Sequence, residues 1–190
     1  MLTGAADCYL LLQVIHYPHK SMLNIVVRSE QPGDLGAISL VTRTAFEPEA
    51  FSSHTEQFIV DALRRAGQLT VSLVADNAGA IVGHIAFSPI NVSSGEQGWY
   101  GLGPVSVLPQ WQGQGVGTRL IRSGLEQLQS MGARGCVVLG DPDFYCRFGF
   151  KNSESLVYTD APARYFQAMA FVGEVATGQV QFQKAFEATQ

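Results

Sequence analysis

Hydrophobic and polar positions alternate with two different periods along most of the chain. Short runs of alternating or continuous apolar residues predict strands at 24–28, 69–75, 80–88, 100–108 and 136–139. Apolar residues at helical spacing predict helices at 35–46, from 53 or 55 to 65, and at 115–131. Strands and helices that take turns in this way predict an α/β domain.

Turn residues mark where these elements end. Asp34 is a candidate cap for the first helix, and the sequence Asp-Asn-Ala-Gly at 76–79 predicts a tight hairpin. Gly132 is the expected stop of the long helix, and a short helix is expected from Asp141 to Gly149. Beyond residue 150 the pattern weakens; it suggests strands at 155–159 and 178–184 and a helix at about 163–172.

The first 21 residues do not fit this pattern. Their apolar stretch YLLLQVI is too short to span a bilayer, and no Lys or Arg precedes it as a signal peptide would require. Met22 then opens a stretch that resembles a domain start. We expect residues 1–21 to be an extension outside the domain, or the product of an upstream start codon, and residues 22–190 to form one domain.

Composition narrows the possible functions. The chain has 190 residues, of which 46% are hydrophobic, and a formal net charge of −4. These values indicate a globular protein and argue against a nucleic-acid-binding or anionic-membrane surface. Cys8, Cys136 and Cys146 form no CxxC pair and have no zinc-ligand spacing. We therefore expect reduced thiols, a cytoplasmic location and no metal site.

Three glycines open the long helix in the sequence QWQGQGVG, at positions 113, 115 and 117. They fit a tight turn, a strand bulge or a bed for a phosphate group. The last alternative uses the unpaired N–H groups at a helix start, which attract anions, and glycine lets a ligand approach them closely. Thr118-Arg119 does not supply the Lys-Ser/Thr of a P-loop, and the spacing is not that of a dinucleotide fold.

Two motifs resemble those of the GCN5-related N-acetyltransferases. Residues 112–117 (QGQGVG) match the pattern Q/R-x-x-G-x-G/A, and residues 145–150 (YCRFGF) are similar to Y-x-x-x-G-F. The stretches LGPVSV and LGDPDFYCRFGF most resemble the YhbS-like group of this superfamily. The resemblance covers most of the chain, with its motif core at 100–150. It implies a mixed, mostly antiparallel central sheet, splayed at the cofactor strand and flanked by helices.

The resemblance also implies a function: an acetyl-CoA-dependent N-acetyltransferase that acts on a primary amine by direct transfer in a ternary complex, with no metal. Val105, Ser106 and Val107 would lie along the pantetheine arm, and the N–H of Val105 would polarise the thioester carbonyl. The bend expected at Gly103-Pro104 would open the slot for that arm. The Tyr145 phenol would be the general acid. The pyrophosphate would bind the backbone of Gln112, Gly113, Gln114, Gly115, Val116, Gly117 and Thr118.

Several positions depart from the family pattern or leave it open. Many members carry an Asn before the tyrosine helix, whereas this chain has Gly-Asp-Pro-Asp at 140–143, so that contact is not expected and Asp141 is interpreted as a helix cap. Cys146 is interpreted as a partly buried structural thiol, and His84 as a structural histidine. The general base is left open among water and four side chains: Glu47, Glu49, His54 and Glu96.

Two classes of function remain compatible with these residues. An enzyme needs the phenol at Tyr145, whereas a non-catalytic acyl-CoA-binding or sensing domain needs the glycines alone. The presence of Tyr145 favours the enzyme. Its acceptor, whether a small amine, an antibiotic or a protein amino group, cannot be identified from the sequence, and the protein is expected to be a monomer or homodimer.

Overall fold

The computed structural model describes residues 24–48 and 54–189. The predictions on residues 1–21, Met22, Cys8 and Glu49 lie outside these ranges. The helices are α1 (Leu35–Phe46), α2 (Glu56–Arg65), α3 (Val116–Ser130) and α4 (Pro142–Tyr145). The strands are β1 (Ile25–Ser29), β2 (Val71–Asn77), β3 (Ala80–Pro89), β4 (Asn91–Val92), β5 (Trp99–Val107), β6 (Gly135–Leu139), β7 (Leu156–Val157), β8 (Phe166–Ala170) and β9 (Gly178–Gln181).

A six-stranded sheet in the order β1-β2-β3-β5-β6-β8 forms the centre of the fold. Only the β5–β6 pair in this sheet is parallel, and its other neighbours are antiparallel. This arrangement confirms the mixed, mostly antiparallel sheet that the resemblance implied. A smaller sheet, in the order β4-β9-β7, lies beside it.

Helices cover both faces of the central sheet. α1 contacts β3 and β5 on one face, while α3 packs on β2 and β3 on the other. The predicted apolar side of α3 is confirmed, since Leu120, Ile121, Leu125 and Leu128 are all buried. A Cβ at Gly124 would overlap the ring of Phe87, so this glycine lets α3 approach the sheet closely.

The predicted turns are also confirmed. Ala78 and Gly79 have φ values of 52° and 91° and form a two-residue connection between β2 and β3. Gly132 follows α3 with φ 79°, and its N–H donates to the carbonyl of Gln129 at 3.0 Å. Asp141 caps α4, because its Oδ1 accepts from the N–H of Asp143 at 3.0 Å.

The cap predicted at Asp34 is wrong. Asp34 immediately precedes α1, but its side chain makes no capping hydrogen bond to that helix. Its Oδ2 instead accepts from the backbone N–H of Gln31 and from the guanidinium of Arg28, each at 2.7 Å. The carboxylate therefore joins β1 to the turn before α1.

The helix predicted at about 163–172 is also wrong. A short 3-10 helix, Ala163–Tyr165, leads directly into β8, which pairs antiparallel with β6. Phe166, Gln167 and Ala168 are buried in succession, so β8 lacks the polar and apolar alternation that marks a half-exposed strand. Good helix formers occupy this stretch, and pairing with β6 overrides their preference. The strands expected at 155–159 and 178–184 are present in shorter form as β7 and β9.

Candidate active site

The parallel neighbours β5 and β6 of the main sheet separate part of the way along. β5 pairs with β6 from Trp99 to Leu102, whereas its pairing with β3 continues to Val107. The β3–β5 register shifts between Ile85 and Phe87, opposite Gly103-Pro104. The last five residues of β5 therefore present a free edge on the β6 side, as the expected bend predicted.

The direction of the backbone groups on this edge follows from one hydrogen bond. The N–H of Leu108 donates to the carbonyl of Val82, a residue of β3, at 3.0 Å. Because successive N–H groups of an extended strand point to opposite sides, the N–H of Ser106 also points toward β3. Those of Val105 and Val107 point to the free edge. A ligand in the gap between the strands would meet these two donors.

The loop after β5 is braced by its glutamines. Nε2 of Gln112 donates to the carbonyl of Val107 at 3.0 Å, and Nε2 of Gln114 donates to that of Gln110 at 2.7 Å. The backbone N–H of Gln112 donates to the carbonyl of Pro109 at 3.2 Å. That N–H already has an acceptor. The backbone N–H groups expected to bind a pyrophosphate are therefore those of residues 113–118.

The backbone conformation favours glycine at two of the three glycine positions. Gly113 and Gly115 have φ values of 69° and 82°, a region that residues with a Cβ rarely adopt. Gly117 lies in the first turn of α3, and a Cβ there would lie 3.7 Å from Val107 Cγ2, an ordinary contact. The N–H of Arg119 donates to the carbonyl of Gly115 at 3.0 Å. The N–H groups that precede it in the first turn of α3 have no acceptor within the helix.

A cavity of about 660 Å³ lies between this glycine loop and the tyrosine helix. Arg147 is the charged residue of its lining, and its guanidinium carbon lies 4.6 Å from the centre of the Phe144 ring. Neither Phe144 nor Arg147 was predicted from the sequence as a site residue, although both flank Tyr145 within one motif. The lining comprises Val105, Val107, Trp111, Gln112, Gly113, Gly115, Val116, Gly117, Thr118, Phe144 and Arg147.

Tyr145 lies next to Phe144 but is not among the residues that line the cavity, and it is 7% exposed. Its ring packs edge-on against Phe144 and Phe150, at centroid distances of 5.0 and 6.0 Å, and belongs to the same hydrophobic cluster as Val105. A Cβ at residue 140 would overlap the ring, which explains the glycine there. Burial, with a smaller contribution from the Cys136 thiol, raises the pKa of Tyr145 to about 12. The phenol therefore keeps its proton at neutral pH.

The two described cysteines differ in environment. Cys136 is buried in β6, and burial raises the pKa of its thiol above the usual range. Cys146 is exposed, which corrects the expectation of a partly buried thiol, and its Sγ lies 3.6 Å from the carbonyl of Asp143.

The structure separates the candidate bases. Glu47 is exposed at the end of α1, and His54 is exposed just before α2, where its carbonyl accepts from Gln57 Nε2. Glu96 pairs with Arg134 at 3.5 Å and precedes Trp99, so it lies at the opposite end of β5 from Val105. The structure thus does not bring Glu96 to the gap between the strands.

His84 occupies a different place from the cavity. Its side chain is fully buried on β3, and its Nε2 lies 2.8 Å from Ser72 Oγ. Burial lowers the pKa of His84 to about 4, against a smaller opposing effect of Glu30. This environment agrees with the structural role expected for it.

Residues 24–48 and 54–189 were compared with the requirements for a membrane-spanning helix and for a metal site. In these ranges no helix is long and apolar enough to cross a membrane. Nor do the described side chains place three or more His, Cys, Asp or Glu residues where they could hold a metal ion.

Comparison with known proteins gives the family. The sequence model of the Acetyltransferase (GNAT) family matches residues 37–150. The uncharacterized N-acetyltransferase YhbS of Escherichia coli K12 is 38% identical over 128 residues, 67% of this chain and 74% of that protein.

Two solved structures agree with this match. A GNAT acetyltransferase from Brucella melitensis in complex with acetyl-CoA has a TM-score of 0.78 and 50% identity, over 86% of this chain and 99% of that one. Escherichia coli YhbS in complex with CoA has a TM-score of 0.80 and 32% identity, over 88% and 94%. The chain belongs to the GNAT family of acetyltransferases.

Proposed function

We propose that the protein transfers an acetyl group from acetyl-CoA to a primary amine, directly, in a ternary complex. The observation that carries this proposal is the continuity of one groove. It runs from the N–H groups at the start of α3 to the free edge of β5 at Val105. The related Brucella melitensis and Escherichia coli structures hold acetyl-CoA and CoA.

Acetyl-CoA supplies an activated acyl group as a thioester, and the backbone of this chain would bind and polarise it. The N–H groups of residues 113–118 would hold the diphosphate, with the partial positive charge of the α3 N-terminus behind them. The N–H of Val105 would donate to the carbonyl oxygen, where negative charge develops during attack. A single donor of this kind typically contributes about 10²–10³-fold in rate.

The reaction would need two proton transfers, one to the departing thiolate and one from the attacking amine. Tyr145 holds a proton at neutral pH and would donate it to the departing thiolate. The amine must lose a proton before or during attack. Water, or a side chain of the segment that includes Glu47, Glu49 and His54, would receive it.

The test is an acceptor screen that follows free thiol. Protein, acetyl-CoA and a panel of small amines and peptides are mixed, with the Gly117→Glu variant as background. We expect thiol release that depends on both amine and active protein. If calorimetry shows tight CoA binding while no amine on the panel raises thiol release, the alternative of a non-catalytic acyl-CoA-binding domain replaces the enzyme.

We also propose that residues 22–190 act as one domain in the cytoplasm. The unpaired thiols of Cys136 and Cys146 support this location, because disulfides are typical of oxidising compartments. The central sheet supports the extent of the domain, since it joins strands from β1 to β8.

A further inference from the structure

Arg147 differs from the ion-paired arginines of the described chain in what its charge contacts. Arg164 is similar, since its guanidinium lies over the Tyr165 ring, but of these two only Arg147 lines the cavity. Arg28, Arg64 and Arg134 each pair with a carboxylate, at N–O distances of 2.7, 2.9 and 3.5 Å. The guanidinium of Arg147 instead lies over the Phe144 ring, and within the described ranges it forms no ion pair. Its positive charge is available to a ligand.

The position of Arg147 decides which ligand it would meet. It lines the 660 Å³ cavity from the tyrosine side, whereas the helix-start N–H groups line it from the glycine side. The other lining residues are uncharged, in a protein with a net charge of −4, so a cation at this place is a local feature. An anionic group in the cavity would lie between two sources of positive potential.

We propose that Arg147 binds a phosphate of CoA and thereby holds the nucleotide half of the cofactor against the glycine loop. This inference rests on the proposed function. Stacking on Phe144 restricts the side chain before the ligand arrives, which lowers the entropy lost on binding. A planar guanidinium matches two phosphate oxygens, a geometry that lysine does not reproduce.

The experiment measures CoA affinity by calorimetry for the wild type, Arg147→Gln and Arg147→Lys. Arg122→Gln is the matched control, because Arg122 is an exposed arginine of α3 outside the cavity lining and its loss changes net charge equally. We expect Arg147→Gln to weaken CoA binding by about 10–100-fold, the range for losing a hydrogen bond to a charged group. Arg147→Lys should recover part of the affinity, and Arg122→Gln should stay within about twofold of the wild type.

A second ligand identifies the phosphate. If Arg147 binds the 3′-phosphate, the variant and the wild type should bind dephospho-CoA equally. If it binds the diphosphate, the loss should be the same for both ligands. Either result supports the proposal. Wild-type affinity for CoA in a folded Arg147→Gln protein would overturn it.

Two further readouts keep the result clear. Melting curves by circular dichroism check folding, and if Arg147→Gln is unfolded, a Lys variant with full CoA affinity and no salt dependence would also overturn the proposal. Failure of the proposed function looks different, since the wild type itself would then bind neither CoA nor acetyl-CoA.

Discussion

Two polar regions of this protein differ in where their hydrogen-bonding groups find partners. In the first, which we call the Glu30 cluster (Glu30, Arg64, Ser72 and His84), the groups bind one another. Nε and NH2 of Arg64 each donate to Glu30 at 2.9 Å, and the Ser72 hydroxyl donates to the same carboxylate. The second is the glycine loop at 113–118, which lines a cavity and whose backbone N–H groups have no hydrogen-bond acceptor among the described residues.

The contrast reverses what the residue types suggest. Glu, Ser, His and Arg together resemble catalytic machinery, yet in the Glu30 cluster they bind one another and link the residue after β1 to β2, β3 and α2. Glycine has no functional group, yet the N–H donors of the glycine loop have no partner among the residues that the structure describes. Groups that are satisfied inside a protein contribute to stability, and groups left unsatisfied at a cavity are available to a ligand.

The largest effect that would test this contrast is expected at Gly117. Gly117→Glu would place a carboxylate beside the proposed diphosphate site, and two charges about 4 Å apart repel by about 4 kcal/mol near a protein surface. We therefore expect CoA affinity to fall by about 10²–10³-fold in calorimetry.

Gly117→Gln separates charge from bulk. The position is helical and accommodates a Cβ, so Gln should fold normally and gain up to about 1 kcal/mol of helix propensity. It should lose at least tenfold less affinity than Glu, which corresponds to about 1.4 kcal/mol of the charge repulsion. Equal losses in the two variants would show that the loop does not face an anion. The corresponding change at Gly115 is less informative, because φ 82° strains any residue with a Cβ.

The next effect concerns the proton on Tyr145. Tyr145→Phe keeps the ring that packs on Phe144 and Phe150 and removes only the hydroxyl. We expect turnover to fall by at least about tenfold, below the usual range for general acids because water can substitute, with CoA affinity little changed. Steady-state kinetics and calorimetry measure the two quantities. Unchanged turnover per bound complex, with lower stability, would assign Tyr145 to packing alone.

The sequence predicted the fold best where local signals and tertiary structure agree. α1 matches its predicted range of 35–46 and α3 differs from its range by one residue at each end, because each has an apolar side that faces the sheet. β8 could not be predicted, because its strand state depends on pairing with β6, far away in the sequence.

The candidate site shows the same division. The glycine spacing predicted the loop before α3, and the motif around Tyr145 predicted the opposite wall. Arg147 was missed because one arginine two residues after a tyrosine carries no pattern. Its proposed role depends on facing a cavity and on having no carboxylate partner among the described residues. The Asn24–Arg28 strand likewise gave no sign that Arg28 would bind Asp34 and Asp76.

The third prediction concerns the pH dependence of stability that the buried histidine of the Glu30 cluster should cause. The Ser72 hydroxyl donates to Glu30, so its oxygen accepts from Nε2–H of His84, and Nδ1 is the unprotonated nitrogen. Nδ1 is buried and has no partner within the described residues. A second proton would therefore create a buried charge, which explains why the pKa of His84 falls from 6.5 to about 4.

Between these two pKa values the unfolded chain binds a proton at this residue and the folded chain does not. Stability is therefore highest above the unfolded pKa of 6.5 and falls as the pH drops toward 4. From pH 7 to pH 5 we expect the free energy of unfolding in urea to fall by about 2 kcal/mol. His84→Gln should flatten this slope, whatever its own stability. If the slope is identical in the variant, a group other than His84 causes the pH dependence.

The smallest effect separates a partly buried ion pair from an exposed one on the same arginine. Arg64 pairs with Glu30, whose side chain is 19% exposed, and with Asp61, whose side chain is 45% exposed. Burial disfavours the Glu30 carboxylate, but hydrogen bonds from Arg64 and Ser72 outweigh it and lower its pKa. Glu30→Gln keeps the shape and removes the charge, and should cost about 1–2 kcal/mol in urea unfolding. Asp61→Asn should cost less than about 0.5 kcal/mol, because exposed pairs are weak.

Both variants should bind CoA within about twofold of the wild type, since neither residue lines the cavity. This pair of results is the opposite of the pair expected at Gly117, where affinity falls and stability does not. If Glu30→Gln loses CoA affinity, the two polar regions are coupled through the sheet, and the satisfied cluster contributes to function as well as to stability. If Asp61→Asn is as destabilised as Glu30→Gln, burial is not what gives the cluster its strength, and the number of hydrogen bonds on Arg64 decides instead.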